Sequence, residues 1–164
     1  MEKEITELKK QGVDLIALPC NSAASIVNRL KSRIKINIPN IQQAAIEWLV
    51  ETNIKEIALI CTRATLNMGY YESHFEINGI RVHKPDKSLQ DKIDDLIKHV
   101  ASGHAVYKYR NNLYQIIQNI KITYGVNNIF LACTDLGGIL EEQEGIHDSL
   151  KIYAKKISEE LKKT

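Results

Sequence analysis

Three short apolar runs without polar alternation punctuate the chain, at 15–18, 57–60 and 129–132, and each leads into a cysteine. Runs of this length read as strands buried on both faces, as in a parallel sheet covered by helices. Behind each cysteine stands a small hydrogen-bonding residue: Asn21 and Ser22 after Cys20, Thr62 after Cys61, Thr134 after Cys133. Such residues cap helix N-termini, so a helix is predicted to start at each place. Between the runs, apolar residues recur at helical spacing, as in Ala23, Ile26, Val27, Leu30 and Ile34. The same period returns in Ala44, Ala45, Trp48 and Leu49, in Leu89, Ile93, Leu96 and Ile97, and in Leu113, Ile116, Ile117 and Ile120.

The pattern predicts a strand over 13–18, a short strand or extended segment over 36–41, and strands at 57–60, 80–82 and 129–132. It predicts one helix over 65–75, a helix capped by Ser88, and a charged amphipathic helix from Ser149 to Leu161. Strands alternating with helices make an α/β fold with a largely parallel sheet. In such sheets ligands bind beyond the carboxyl ends of the strands, which is where this order puts all the thiols. The Cys20 strand has few neighbours: only 36–41, and a segment near Ile146, stand ready to join it.

Composition narrows the function. The 164 residues are 44% hydrophobic and 26% charged, a globular balance. A net charge of +2 gives no electrostatic case for a nucleic acid or an anionic membrane as partner. No apolar run approaches the roughly 20 residues of a membrane-spanning helix. The opening Met1-Glu2-Lys3-Glu4 reads as the start of a charged helix and not as a signal peptide. Three widely spaced cysteines suggest reduced thiols and a cytoplasmic setting, with neither a disulfide framework nor a zinc site. His74, His83, His99, His104 and His147 have no mutual metal-ligand spacing.

A free cysteine is usually a small buried hydrophobe. Position at a strand end before capping residues moves Cys20 and Cys133 toward chemistry, although Cys61 shares that position. Tyr71 and Phe75, four apart, read as a packed helical pair.

At the cysteines the sequence resembles a known family. Leu18-Pro19-Cys20-Asn21-Ser22-Ala23 resembles the P-C-N-T-A-H signature of the aspartate/glutamate racemases, and Leu131-Ala132-Cys133-Thr134-Asp135 resembles their G-C-T-E signature. Thr62-Arg63-Ala64-Thr65, followed by Gly69-Tyr70-Tyr71, is similar to the family's G-T-x-x-T and S-G-x-Y segment. Asp148-Ser149 is similar to an Asp-Ser pair before the last helix. Ala24 stands where the first signature has histidine, Ser22 replaces threonine, and no counterpart of the family's glycine-rich first strand-turn precedes Met1.

The resemblance implies a two-lobed, flavodoxin- or Rossmann-like racemase architecture with the first lobe truncated. Residues 1–43 with 137–164 would form the lobe carrying Cys20, and 44–136 the lobe carrying Cys133. It implies a cofactor-independent amino-acid racemase of the aspartate branch acting on a small acidic amino acid, as a homodimer, with Cys61 structural. Cys20 and Cys133 would exchange protons with opposite faces of Cα. A free thiol titrates near about 8.5, so one can act as base while the other acts as acid. Asn21, Ser22, Thr62, Thr65 and Thr134, with backbone N–H groups at the helix starts, would hold the α-carboxylate, and Asp135 would orient the ammonium. Alternatives are a non-catalytic homologue, a small acidic-ligand binding module, a glutamate racemase, or an enzyme akin to maleate isomerase or arylmalonate decarboxylase.

Overall fold

In the computed structural model, which describes residues 2–103 and 106–162, strands form where apolar runs find partners. Strands β1 (Glu56–Ile60), β2 (Arg81–His83), β3 (Ile129–Leu131) and β4 (Ile146–Asp148) make one all-parallel sheet in the order β2-β1-β3-β4. Side chains of consecutive strand residues point to opposite faces. Ala58, Ile60, Ile129 and Leu131 therefore pack on one side, against helices α6 (Lys87–Ala101) and α7 (Arg110–Tyr124). Ile57, Leu59 and Phe130 pack on the other, against α3 (Ile41–Val50) and α5 (Tyr70–Ile77). There Phe130 meets the ring edges of Tyr71 and Phe75, at centroid distances of 5.1 and 5.9 Å.

The first run behaves differently. Residues 13–18 were expected as a strand, but they form only an isolated parallel bridge, Leu15 to Asn37, with Ile16 N–H donating to Asn37 O at 2.9 Å. A run becomes a strand only when a neighbour matches its hydrogen bonds, and Asn37 is the one residue bridged to it here. The segment 36–41 likewise supplies that bridge and no ladder. Nor does the Ile146 segment join the Cys20 side: it is β4, paired with β3. A lobe boundary at residue 137 would thus cut through the sheet that leads to Cys133.

Cap chemistry explains further departures. Asp86, not Ser88, accepts from Leu89 N–H and starts α6 two residues early. The helix expected over 65–75 is two, α4 (Arg63–Met68) and α5, because Gly69 adopts a left-handed conformation at φ 63° between them. Asn40 caps α3 by accepting from Gln42 and Gln43 N–H, and Asp148 caps α8 (Ser149–Leu161) by accepting from Leu150 N–H. His104 lies outside the described residues.

The Cys20 side is built on α1 (Glu2–Lys10) and α2 (Ala24–Ile34), whose Ile5, Val27, Leu30 and Ile34 enclose Ile36 and Ile38. Tyr153 of α8 fastens this side to the rest. Its buried ring sits among Ala24, Ile41 and Ala44, while its hydroxyl accepts from Leu18 N–H at 3.1 Å and donates to Pro39 O at 2.8 Å. Tyr153→Phe keeps the ring but leaves both backbone groups without that partner, which costs about 1–3 kcal/mol. The urea midpoint is expected to fall by the corresponding amount with the m-value unchanged; an unmoved midpoint contradicts this role.

Candidate active site

Cys20 stands at a bend. Its own N–H donates to Leu18 O at 2.9 Å, and its half-exposed side chain makes no hydrogen bond among the described residues. The expected helix does follow, α2 from Ala24, but its cap is Ala23, with no side-chain cap bond. Asn21 and Ser22 are thereby released from the capping role expected of them, and each is used elsewhere.

Asn21 is 3% exposed and turns inward. Its Oδ1 accepts from the Tyr71 hydroxyl at 2.5 Å, its Nδ2 donates to Ser149 Oγ at 3.1 Å, and its backbone carbonyl accepts from Gln42 Nε2 at 3.1 Å. One side chain so joins the Cys20 bend to α5 and to the start of α8, while its carbonyl reaches α3. These bonds engage its Oδ1, one Nδ2–H and its carbonyl within the fold. Tyr71 is both the core partner of Phe75, at 5.5 Å, and the donor that holds Asn21. Burial pushes the Tyr71 phenol well above its ordinary pKa, so it remains a donor.

Ser22 faces the end of β1. Its Oγ lies 3.1 Å from Thr62 Oγ1 and 3.2 Å from Thr65 Oγ1, and the two threonine hydroxyls are 3.1 Å apart. Three of the expected site residues thus form a triangle of hydroxyls, each able to rotate its proton toward an arriving anion. Three backbone amides of α4's first turn are already used. Thr65 N–H donates to Thr62 Oγ1, Leu66 N–H to Thr62 O, and Arg63 N–H to Asp94 Oδ1. Three hydroxyls therefore stand at this strand end as donors, with most of the first-turn amides engaged within the fold.

Cys133 follows β3, the strand hydrogen-bonded to β1. Only a single 3-10 turn, Thr134–Leu136, begins there, and no side chain caps it. Cys133 Sγ approaches Asp135 Oδ2 at 3.8 Å. Burial pushes the Cys133 thiol up to about 11; Asp135's carboxylate adds to the rise, and the backbone N–H groups of Asp135 and Leu136 pull against it. The expectation that a helix start would favour the thiolate is corrected at Cys133, where desolvation outweighs one turn of amide dipoles. Thr134 is half-exposed beside this thiol, and Asp135 is exposed.

Cys61 is fully buried on the opposite face of the sheet, packed with Tyr71 and Phe75; burial, and then the nearby Cys133 and Asp94 charges, drive its thiol far above the ordinary range. A cavity of about 480 Å³ between β4, α8 and the 138–144 loop includes Trp48, Leu136, His147 and Lys155 in its wall, but none of the three cysteines. No group of three or more His, Cys, Asp or Glu residues is arranged to hold a metal ion among the described residues.

Sequence reading missed Gln42, Ser149's bond to Asn21, Tyr153, Gln90 and Asp94. A signal existed for some of them. Gln42 and Gln90 are polar residues at core-facing helical positions, Gln90 three residues before Ile93, and a polar side chain there needs a buried partner. The raised Cys133 pKa yields a direct expectation. In the ligand-free protein, alkylation of Cys133 by iodoacetamide, located by peptide mass spectrometry, should rise with pH about an inflection near 11. An inflection below neutral pH would contradict the protonated resting state.

A sequence profile described as Asp/Glu/Hydantoin racemase matches residues 1–153. An uncharacterized protein of Pectobacterium carotovorum subsp. carotovorum is 26% identical over 137 residues, covering 84% of this chain and 89% of that one. The broad specificity amino-acid racemase RacX of Bacillus subtilis is 26% identical over 135 residues, 82% of this chain; the match spans 58% of RacX. Among solved structures, an aspartate racemase homologue from Pyrococcus horikoshii superposes with a TM-score of 0.76 at 19% identity, over 96% of this chain and 73% of that one. The shared fold, and a family match that includes both cysteine segments and the threonine turn between them, lead to one conclusion: the chain belongs to the Asp/Glu/hydantoin racemase family.

Proposed function

We propose that the protein interconverts the mirror-image forms of a small acidic amino acid, aspartate before glutamate, by proton transfer between Cα and two thiols, Cys20 and Cys133. The observation that carries this reading is the hydroxyl triangle. Ser22, two residues after Cys20, meets Thr62 and Thr65 at the end of β1, and the neighbouring strand β3 leads to Cys133. The two cysteine segments thereby flank one small group of anion-binding donors. Aspartate is favoured by the C-T-D form at Cys133, by the Thr62–Thr65 turn, and by the name of the Pyrococcus relative.

In this mechanism the α-carboxylate sits on the Ser22, Thr62 and Thr65 hydroxyls. Negative charge spreads onto that carboxylate as the Cα–H bond breaks, so donors placed there stabilise the transition state more than the ground state. Cys133 waits as a thiol and delivers its proton to one face while Cys20, as thiolate, removes the proton from the other. In the reverse direction Cys133 must itself ionise. The substrate ammonium, drawn to Asp135, offsets the carboxylate that holds the Cys133 proton, and the amides of Asp135 and Leu136 then stabilise the thiolate. Asn21 holds the Cys20 bend in place from inside the fold.

The test is proton NMR of the protein with L-aspartate in D₂O. Wild type is expected to replace the α-proton by deuterium; removing the thiol that faces this proton, by Cys20→Ala or Cys133→Ala, should slow exchange by at least about 10²-fold, and removing the other thiol should slow it less. Ser22→Ala, which leaves every helix cap intact, should reduce kcat/KM by about 10²-fold. No exchange with aspartate or glutamate contradicts the proposed activity, and exchange unaffected by either cysteine change contradicts the two-thiol mechanism.

A further inference from the structure

Thr62 is held from behind by a helix the proposed mechanism does not use. The peptide groups on either side of this residue are both gripped by α6. Before Thr62, the Cys61 carbonyl accepts from Gln90 Nε2 at 2.9 Å; after it, Arg63 N–H donates to Asp94 Oδ1 at 3.0 Å. Gln90 Nε2 also donates to that same Asp94 oxygen at 2.8 Å, which closes the grip into one unit.

The unit has a single orientation. Gln90 is 1% exposed, and its Oε1 has no hydrogen-bond partner among the described residues. Rotating the amide by half a turn would set that oxygen against two acceptors, the Cys61 carbonyl and the Asp94 carboxylate, so the donor end is fixed where it is. A bare buried acceptor is unfavourable, and it is retained here with both of the amide's bonds spent on the peptide before Thr62 and on the residue gripping the peptide after it. The ion pairs of Arg63 lie further out. Its Nε and Nη2 reach Asp94 Oδ2 at 2.9 and 2.8 Å, and Nη2 reaches Asp91 Oδ1 at 2.6 Å. Helix α4, which Thr62 caps, has only six residues and is too short to fix its own first turn.

We infer that Gln90 and Asp94 are positioning residues that set the Thr62 hydroxyl, and through it the Ser22–Thr62–Thr65 triangle, in the geometry that receives the substrate carboxylate. The inference rests on the reading of that triangle as the carboxylate site. Neither residue touches substrate. Both act through the backbone of Thr62, at the junction where a tilt of one peptide would move its Oγ1 away from Ser22 and Thr65.

The experiment pairs kinetics of α-proton exchange with amide NMR on the full chain. Asp94→Ala and Gln90→Met are expected to lower kcat by about 10-fold, the loss of one hydrogen bond to a charged or buried partner. Asp94→Asn, whose Oδ1 still accepts from Arg63 N–H, should recover most of that loss. Asp91→Ala cuts the outer ion pair and leaves the grip intact, so it should change kcat by less than about 3-fold. In each folded variant lacking the grip the Arg63 and Thr65 amide resonances should shift, while those of β3 stay in place. Equal losses for Asp91→Ala and Asp94→Ala would assign the effect to ion pairing and overturn the inference, as would unmoved Arg63 and Thr65 amides in folded Asp94→Ala. If wild type exchanges no α-proton, the proposed activity fails, while the amide shifts still decide whether Asp94 fixes this turn.

Discussion

The buried amide of Asn21 is the constraint on which the site depends. The Cys20 segment has no strand ladder to fix it, only the Leu15–Asn37 bridge and the Tyr153 hydroxyl. Asn21 supplies what the ladder does not: three hydrogen bonds, to Tyr71, Ser149 and Gln42, on three different helices. Those helices are themselves held by packing. Tyr71 is wedged between Phe75 and Phe130, and Ser149 and Tyr153 ride on α8 where it lies along α3. A thiol on a loosely paired bend is in this way referenced to the rigid sheet that leads to the second thiol. Buried polar groups with every end engaged specify one arrangement, because each alternative leaves a donor or acceptor bare.

The hydroxyl triangle is the second consequence. Once Asn21 points inward, its neighbour Ser22 is turned toward the end of β1, and Thr62 and Thr65 meet it there. Thr62 serves three demands at once: helix cap, member of the triangle, and the residue whose flanking peptides α6 grips. That convergence explains why polar residues of α6 occupy positions that hydrophobic periodicity would fill with leucine.

Much of the sheet was legible in the sequence, and the reasons for success and failure are the same. The runs at 57–60 and 129–132 became strands because they lie next to each other in the sheet; the run at 15–18 has the same apolar character but bridges only Asn37, and no local pattern reveals how many partners a run will find. Asn21, Ser22, Thr62 and Thr134 all look like caps, yet only Thr62 caps a helix, because the others serve long-range bonds or a single turn. Ser22, Thr62 and Thr65 were named from the family resemblance, but that their hydroxyls meet was not foreseen. Gln90, Asp94 and Tyr153 were not, since their partners lie 29, 31 and 114 or more residues away. Cys133's raised pKa was hidden for a related reason: burial is a property of the packed sheet, and it outweighs the amide dipoles that the sequence suggests.

The central claim is that Cys20 and Cys133 serve opposite faces of one Cα. The most direct measurement is the initial rate of deuterium incorporation into each enantiomer of aspartate, taken separately for Cys20→Ser and Cys133→Ser. The account predicts opposite preferences, each variant retaining exchange with the enantiomer whose α-proton faces the remaining thiol. The same preference in both variants would contradict it, since a single base would then serve both faces.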